Sequence, residues 1–245
     1  MISDYVVVDL EMTGLSAKTD QVIEIGAIKI RDGQMVDKMQ CMVNPQCKIP
    51  SHVTELTGIT DAMVQDGMAR DEAMQGLLDF IEGEYLVGQN IGFDYSFMKQ
   101  WAINHKVPLE VKACDTLKLA RTLLPGEQPK NLAALCAYFG IARQREHRAL
   151  DDAIETWQVF ECLKDMAAGN ATLAPIFEPK QLFYKAKKQT PATAHQLQRL
   201  KEYRQRMHLE DEINWDNLTR SEASRIMDRY IATYGRINPS AQQDE

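Results

Sequence analysis

The 245-residue sequence lacks an apolar run long enough to cross a membrane. It also lacks the basic segment that precedes the apolar run of a secretory signal. Its five cysteines are odd in number and form no C-x-x-C pair, which argues against a disulfide framework and a zinc site. Apolar residues at 44% and charged residues at 26% exclude fibrous or largely disordered chains. We therefore expect a cytoplasmic globular protein that binds no membrane.

The sequence also lacks an excess of positive charge, because its formal net charge is −7, whereas phosphate contacts come from lysine and arginine. The charge is unevenly distributed. Residues 1–179 contain 16 basic and 26 acidic side chains, whereas residues 180–236 contain 12 basic and 7 acidic side chains. An acidic body is consistent with metal-binding carboxylates, and a basic appendage can bind a polyanion. The alternative is that both are ordinary solvated surfaces.

The apolar pattern predicts an α/β fold. Three consecutive antiparallel strands are predicted at Tyr5–Leu10, Gln21–Arg31 and Gln34–Val43. Short strands then alternate with helical patterns: strands at Tyr85–Gly88 and Val111–Cys114, and helices at Arg70–Glu82, Phe93–Asn104, Asp115–Leu124, Asn131–Phe139 and Ala149–Met166. Antiparallel strands followed by parallel βα units predict a mixed sheet flanked by helices.

Proline and glycine punctuation suggests where the domains end. We predict a catalytic domain at residues 1–167 and a linker at 168–193, where periodicity fades. A small basic helical module is predicted at 194–236, followed by a tail at 237–245.

Two acidic residues lie at the end of the first predicted strand. Asp9 and Glu11 are two positions apart, so both carboxylates lie on one face of the strand and can share a cation. A D-x-E pair alone is weak evidence, because it is common by chance. Here it is followed by Thr13-Gly14-Leu15, where Gly14 would permit close approach of a ligand or an unusual backbone angle.

Two further motifs lie later in the chain. Asp94, in VGQNIGFD, follows a predicted strand and can face a site at the strand end; the alternative is that it caps the next helix. In HRALDDA, His147 precedes Asp152 by five residues. Five residues of helix rotate by about 140°, so we expect His147 in the preceding loop and Asp152 in the helix. A histidine so placed suits a water-activating base, and the alternative is a structural histidine.

In this order and on these elements, DLEMTGL, NIGFD and HRALDDA resemble the motifs of the DEDDh family of 3′→5′ exonucleases. That family contains the proofreading epsilon subunit of bacterial replicative polymerases, ribonuclease T and oligoribonuclease. The resemblance extends over about residues 4–166 and includes CDTLKLARTLLP and NLAALCAYFGI. It implies a ribonuclease H-like fold, with Asp9, Glu11, Asp94 and Asp152 as metal ligands and His147 as general base.

The resemblance also implies cofactors and a reaction. Two divalent cations, Mg²⁺ or Mn²⁺, suit the oxygen-only ligands. Without them four converging carboxylates would repel one another, and the motifs contain no fixed positive partner. His147 would take a proton from the attacking water, and each cycle would release a nucleoside 5′-monophosphate.

Residues beside the motifs are candidates for substrate binding: Thr13, Gly14, Leu15, Asn90 and Phe93. By resemblance, Leu15 would lie beside the terminal base and Thr13 would contact the terminal nucleotide. Met12 stands where many family members have a second threonine, a departure that should not affect the metals.

Several alternatives stay open. We expect the substrate to be nucleic acid with a free 3′ end, with single-stranded DNA favoured over RNA, although an exoribonuclease of oligoribonuclease type has the same motifs. A non-catalytic adaptor is disfavoured because all five catalytic residues are present. Proofreading would require a polymerase or another replication or repair partner, for which the C-terminal module is the candidate site.

Overall fold

The computed structural model describes residues 1–143, 145–186, 190–209, 213, 215 and 218–235. They fall into two compact units, Met1–Ala186 and Lys187–Glu245. Among the described helices, none has both the length and the apolar character needed to span a bilayer.

In the described part of the first unit, the strands form one seven-stranded sheet in the order β4-β3-β2-β1-β5-β6-β7. The strands are β1 (Tyr5–Met12), β2 (Val22–Arg31), β3 (Gln34–Asn44), β4 (Met68–Ala69), β5 (Leu86–Gly88), β6 (Lys112–Asp115) and β7 (Lys180–Gln181). β1, β2 and β3 pair antiparallel, whereas β1, β5 and β6 run parallel. The carboxyl ends of β1, β5 and β6 therefore meet at one edge of the sheet.

Helices cover both faces of this sheet. They are α1 (Ser51–Thr57), α2 (Asp61–Gln65), α3 (Arg70–Phe80), α4 (Gly92–His105), α5 (Thr116–Leu123), α6 (Leu132–Phe139) and α7 (Ala149–Ala167). Even-numbered β1 side chains such as Val6 and Val8 pack with α3 and α4 in one core. Odd-numbered side chains such as Tyr5 and Val7 pack with α5, α6 and α7 in the other. The mixed sheet flanked by helices confirms the predicted α/β, ribonuclease H-like fold class.

The first unit extends beyond the expected boundary at residue 167. A 3₁₀ helix at Ala174–Phe177 buries Phe177 in the core under α7, and β7 pairs antiparallel with β6. Leu182 also joins the core on the α3 side. Much of the expected linker at 168–193 therefore belongs to the first unit, because its few apolar residues are spaced to complete the core rather than to form a periodic helix.

The second unit contains two described helices, α8 (Ala194–Met207) and α9 (Arg220–Tyr234). The Thr193 hydroxyl accepts a hydrogen bond from the backbone N–H of Gln196, and the side-chain oxygen of Gln196 accepts one from the backbone N–H of Thr193. This capping box fixes the start of α8. Leu200, Tyr203, Leu218 and Met227 are among the residues of a small core. The expected tail at 237–245 lies outside the described residues.

The boundary also changes the charge of the second unit. Lys180 and Lys185 belong to the first unit, so residues 187–245 carry ten basic and nine acidic side chains. The basic character expected for the C-terminal module therefore does not apply to the whole second unit, although α8 keeps four arginine and lysine side chains against one glutamate.

Gly26 on β2 allows α7 to pack directly on the sheet. A Cβ atom at this position would lie 2.2 Å from the carbonyl carbon of Ala149, the first residue of α7. Backbone cannot yield as a flexible side chain can, so a larger residue must displace the helix.

We predict that Gly26→Ala lowers the free energy of unfolding by about 1–3 kcal/mol or more, the usual cost of overpacking a core. The matched control is Gly76→Ala inside α3, where the nearest atom, Cε of Met39, is 3.5 Å from the added Cβ. That change should stabilise the helix by roughly 0.5–1 kcal/mol. Urea unfolding of both variants tests this, and a Gly26→Ala variant as stable as the parent would contradict the packing.

Candidate active site

The carboxylates of Asp9 and Glu11 lie at the carboxyl end of β1, on the face of the sheet covered by α7. Their neighbours in the antiparallel register are Gly26 and Glu24 of β2. The first two positions of the predicted site therefore share one face, as the spacing required.

Asp94 reaches the same edge from α4. It is buried, and its Oδ1 accepts a hydrogen bond from the backbone N–H of Leu10 at 3.0 Å. The N-cap position of α4 is Ile91, with no side-chain capping bond. The alternative that Asp94 caps the helix is therefore wrong, and its carboxylate instead fixes the end of β1.

His147 and Asp152 approach this edge from α7 and the turn before it. His147 lies in the turn with a left-handed φ of 57°, and Asp152 is buried in the first turn of the helix. Three possible ligand atoms lie within 4.8 Å of one another: a carboxylate oxygen of Glu11, a ring nitrogen of His147 and a carboxylate oxygen of Asp152. Asp9 and Asp94 are not part of this trio, but Asp9 lies close enough to Asp94, Glu11 and Asp152 for their charges to raise its pKa.

Arg143, which the sequence analysis did not single out, contacts one of these carboxylates. Its Nη2 lies 3.0 Å from Oδ1 of Asp152, and its Nε lies 2.6 Å from Oε2 of Glu155. Arg143 lies outside the three motifs, so Asp152 has a fixed positive partner that the motifs themselves do not contain. The sequence offers three arginines within six residues before α7, and it gives no signal of which one turns inward.

A second ion pair missed by the sequence analysis docks the start of α7 on the sheet. The fully buried carboxylate of Glu24 accepts from Arg148 Nε and Nη2 at 3.1 and 2.9 Å. It also accepts from the backbone N–H of Ala149 at 3.1 Å. This pair fixes the helix that carries Asp152 against the strand opposite Glu11.

The candidate substrate-binding residues lie at the same edge but in different settings. Leu15 is 85% exposed, whereas Thr13 is buried and its hydroxyl accepts from the Gln21 backbone N–H. A Cβ on Gly14 would lie 2.6 Å from the carboxylate of Asp20, so this glycine accommodates a neighbouring side chain at normal backbone angles.

Asn90 lies between β5 and α4, and Phe93 is in the first turn of α4. Asn90 is exposed with a left-handed φ of 59°, and its backbone N–H donates to Oδ1 of Asp115 at 3.1 Å. Phe93 is half-buried and packs edge-on against Phe97. Both positions follow the carboxyl end of β5, one of the strands whose ends meet at this edge.

Burial and mutual repulsion raise the carboxyl pKa values throughout the cluster. Burial and then Asp94 raise the pKa of Asp9 well above its usual value. Burial, with Asp152 and other acidic neighbours, raises the pKa of Glu11 to about 8, and burial raises that of Asp94 to about 7. For Asp152, burial outweighs the opposing effect of Arg143. Without a cation, these carboxyl groups are harder to ionise than free ones. A bound divalent cation would favour their charged forms, so the cluster suits such an ion.

We predict that the chelator-treated protein loses stability as the pH rises. The folded state holds protons on Glu11 and Asp94 more tightly than the unfolded chain, where the pKa values are 4.5 and 3.8. Their contribution is therefore complete below these values and lost as the pH passes about 7 and 8. The Tm should fall by at least about 3 °C between pH 6 and pH 9, the shift that roughly 1 kcal/mol produces in a protein of this size.

Added Mg²⁺ should restore the Tm at the higher pH, and Glu11→Gln should flatten the metal-free pH dependence because it removes one of the titrating carboxyls. Thermal unfolding followed by circular dichroism measures both effects. A metal-free Tm that rises over this range, or one that Mg²⁺ leaves unchanged at high pH, would show that repulsion between these carboxylates does not destabilise the fold.

Comparison with known proteins supports one family. The family model described as Exonuclease (RNase_T) matches residues 6–160, more than half of the chain. The PolC-type DNA polymerase III of Clostridium perfringens is 38% identical over 158 residues, and that of Bacillus subtilis is 37% identical over 169 residues. These alignments cover 64% and 66% of this chain but only 11% and 12% of the polymerases, so the chain spans a small part of those relatives.

Solved exonucleases have the same fold. Exonuclease X in complex with 5′-overhanging duplex DNA is 25% identical, with a TM-score of 0.56 over 70% of this chain and 98% of that one. The nuclease domain of 3′hExo, a DEDDh family member bound to rAMP, is 16% identical with a TM-score of 0.60 over 74% and 98%. Because the family model covers most of the first unit and these structures share its fold, the chain belongs to the DEDDh-type 3′→5′ exonuclease family.

Proposed function

We propose that this chain is a metal-dependent 3′→5′ exonuclease that removes nucleoside 5′-monophosphates from nucleic acid with a free 3′ end. The observation that carries the proposal is the convergence of carboxylates from three elements, β1, α4 and α7, on one sheet edge beside His147. In parallel-stranded folds, ligands bind at the carboxyl ends of the strands.

The charge of the cluster supports two divalent cations. When ionised, Asp9, Glu11, Asp94 and Asp152 carry four negative charges, and among the ion pairs of the described residues only that of Arg143 with Asp152 reaches one of them. Divalent cations would offset this charge. Mg²⁺ and Mn²⁺ suit carboxylate oxygens.

We assign the metal-ligand role to Asp9, Glu11, Asp94 and Asp152. Two cations held there would lower the pKa of the attacking water and stabilise the charge that develops on the leaving 3′ oxygen. The hydrogen bond from Leu10 holds Asp94 toward the end of β1.

His147 acts as general base in this proposal. A ring nitrogen takes one proton from the attacking water, whose oxygen bonds to phosphorus as the bond to the 3′ oxygen breaks. The products are a nucleoside 5′-monophosphate and a chain with a new 3′-hydroxyl. The turn places a ring nitrogen within 4.8 Å of Glu11 and Asp152 oxygens, next to the atoms proposed to hold the cations.

Thr13, Gly14, Leu15, Asn90 and Phe93 border this edge, and we propose that they bind the terminal nucleotide. Leu15 is the most exposed of them, so an apolar side chain is available to a base without displacing the core. The PolC-type relatives named above are DNA polymerases, and Exonuclease X was solved with duplex DNA, which favours DNA as the substrate.

The test is a side-by-side digestion of 3′-blocked and unblocked single-stranded DNA, duplex DNA and RNA with Mg²⁺ or Mn²⁺. We expect mononucleotides from unblocked single-stranded DNA, and no product after Asp94→Ala or with chelator. Preferred digestion of RNA would instead assign the chain to the exoribonucleases. Cleavage of 3′-blocked strands would contradict the exonuclease proposal.

We predict that His147→Ala lowers turnover by about 10²–10⁴-fold, the usual contribution of a general base, while Mn²⁺ binding is kept. Asp94→Ala should lower turnover by at least about 10³-fold, or roughly 4 kcal/mol of transition-state stabilisation. The matched control is His52→Ala, because His52 is exposed on α1. Single-turnover rates measure these effects, and wild-type rates for His147→Ala across pH 6–9 would refute the general-base role.

The polymerase relatives are far longer than this chain, and we propose that a proofreading role would involve a polymerase or other replication or repair partner. We propose the second unit, which lies outside the matched residues 6–160, as the binding site for that partner. A chain ending at Ala186 that keeps its KM on long DNA would favour this role over direct binding of nucleic acid by the second unit.

A further inference from the structure

The guanidinium group of Arg143 contacts three carboxylates on two segments. Its Nη2 and Nε lie 3.0 Å from Oδ1 of Asp152 and 2.6 Å from Oε2 of Glu155, both on α7. Its Nη1 lies 3.0 Å from Oε1 of Glu146, in the turn that precedes α7. Only 14% of the Arg143 side chain is exposed, and Asp152 and Glu155 are buried, so these two contacts are largely desolvated, whereas the side chain of Glu146 is 62% exposed.

The contacts on α7 determine how Asp152 is presented. Asp152 and Glu155 lie one helical turn apart on the same face, and the planar guanidinium group bridges them. With Oδ1 held by Arg143, the carboxylate of Asp152 is restrained to one orientation and its second oxygen is left for a ligand.

The third contact restrains the turn that carries His147. Glu146 is the residue directly before His147, whose backbone is left-handed at φ 57°. Residues other than glycine adopt this conformation at a cost, and keep it only where the surroundings hold them. The residue before His147 is therefore linked to α7 through Arg143.

We propose that Arg143 is a positioning residue that fixes the carboxylate of Asp152 and the turn bearing His147 as one unit. This inference rests on the proposed function, because it assigns Arg143 to the same site. Arg143 touches neither water nor phosphate in this role and acts through Asp152 and Glu146.

The neighbouring arginines have different contacts, which makes them useful comparisons. Arg145 pairs with Asp151 at 2.8 Å, and its side chain is 60% exposed. Arg148 pairs with Glu24. Among the described arginine residues, the ion pairs place only Arg143 on one of the proposed metal ligands.

The variants that test this role are Arg143→Gln, Arg143→Lys and the control Arg145→Gln, each as the full chain. Arg143→Gln should raise the Mn²⁺ dissociation constant, measured by calorimetry, and lower kcat, each by about 10–100-fold, the usual effect of losing a residue that orients a metal ligand. KM for a single-stranded oligonucleotide should change little. Arg143→Lys should recover part of the loss, because an ammonium group cannot contact all three carboxylates in a planar fork.

Arg145→Gln should keep both values within about twofold, as expected for an exposed ion pair. Arg143→Gln leaves Glu155 buried without its partner, so the double variant Arg143→Gln/Glu155→Gln removes that charge and separates positioning from loss of folding. If a folded double variant binds Mn²⁺ and turns over like the parent, the positioning role is wrong. A folded double variant with weakened Mn²⁺ binding and kcat supports it.

The two readouts also separate this inference from the proposed function. If the parent chain degrades no nucleic acid, the nuclease proposal fails, whereas the Mn²⁺ affinity of the variants still reports whether Arg143 positions Asp152. If the parent chain is an active nuclease and Arg143→Gln changes neither kcat nor Mn²⁺ affinity, only the positioning role fails.

Discussion

Repulsion between carboxylates at the carboxyl end of β1 is the constraint on which the rest of the site depends. Asp9, Glu11, Asp94 and Asp152 come from three different elements, and burial and proximity raise the pKa of each. Such a cluster destabilises the fold unless cations are bound or protons are retained. The surrounding structure therefore has to hold α7 at this edge against that repulsion, and three features do so.

Each of these features is a specific contact at or near the start of α7. Gly26 lets the first residue of α7 approach β2, and the buried pair of Glu24 and Arg148 fixes that approach. Arg143 neutralises part of the charge on α7 itself. The breaking of a buried ion pair is costlier than its presence is stabilising, so these pairs specify geometry more than they add net stability.

The sequence predicted those parts of this arrangement that follow from local periodicity. The alternation of β1 placed Asp9 and Glu11 on one face, and the five-residue spacing placed His147 outside the helix of Asp152; the structure has both. It did not predict β7 or the burial of Phe177, because a two-residue strand and a single turn have no period to detect. It also missed Arg143, since pairing across a turn depends on backbone angles such as the left-handed φ of His147.

The account stands on the claim that this carboxylate edge is a site for two divalent cations. Calorimetric titration of the chelator-treated chain with Mn²⁺ tests it most directly, with Asp94→Asn as the comparison because asparagine keeps the shape of the side chain and removes its charge. We expect two ions per parent chain and weakened or lost binding in the variant. Equal binding by both proteins, or no binding by the parent, would contradict the account.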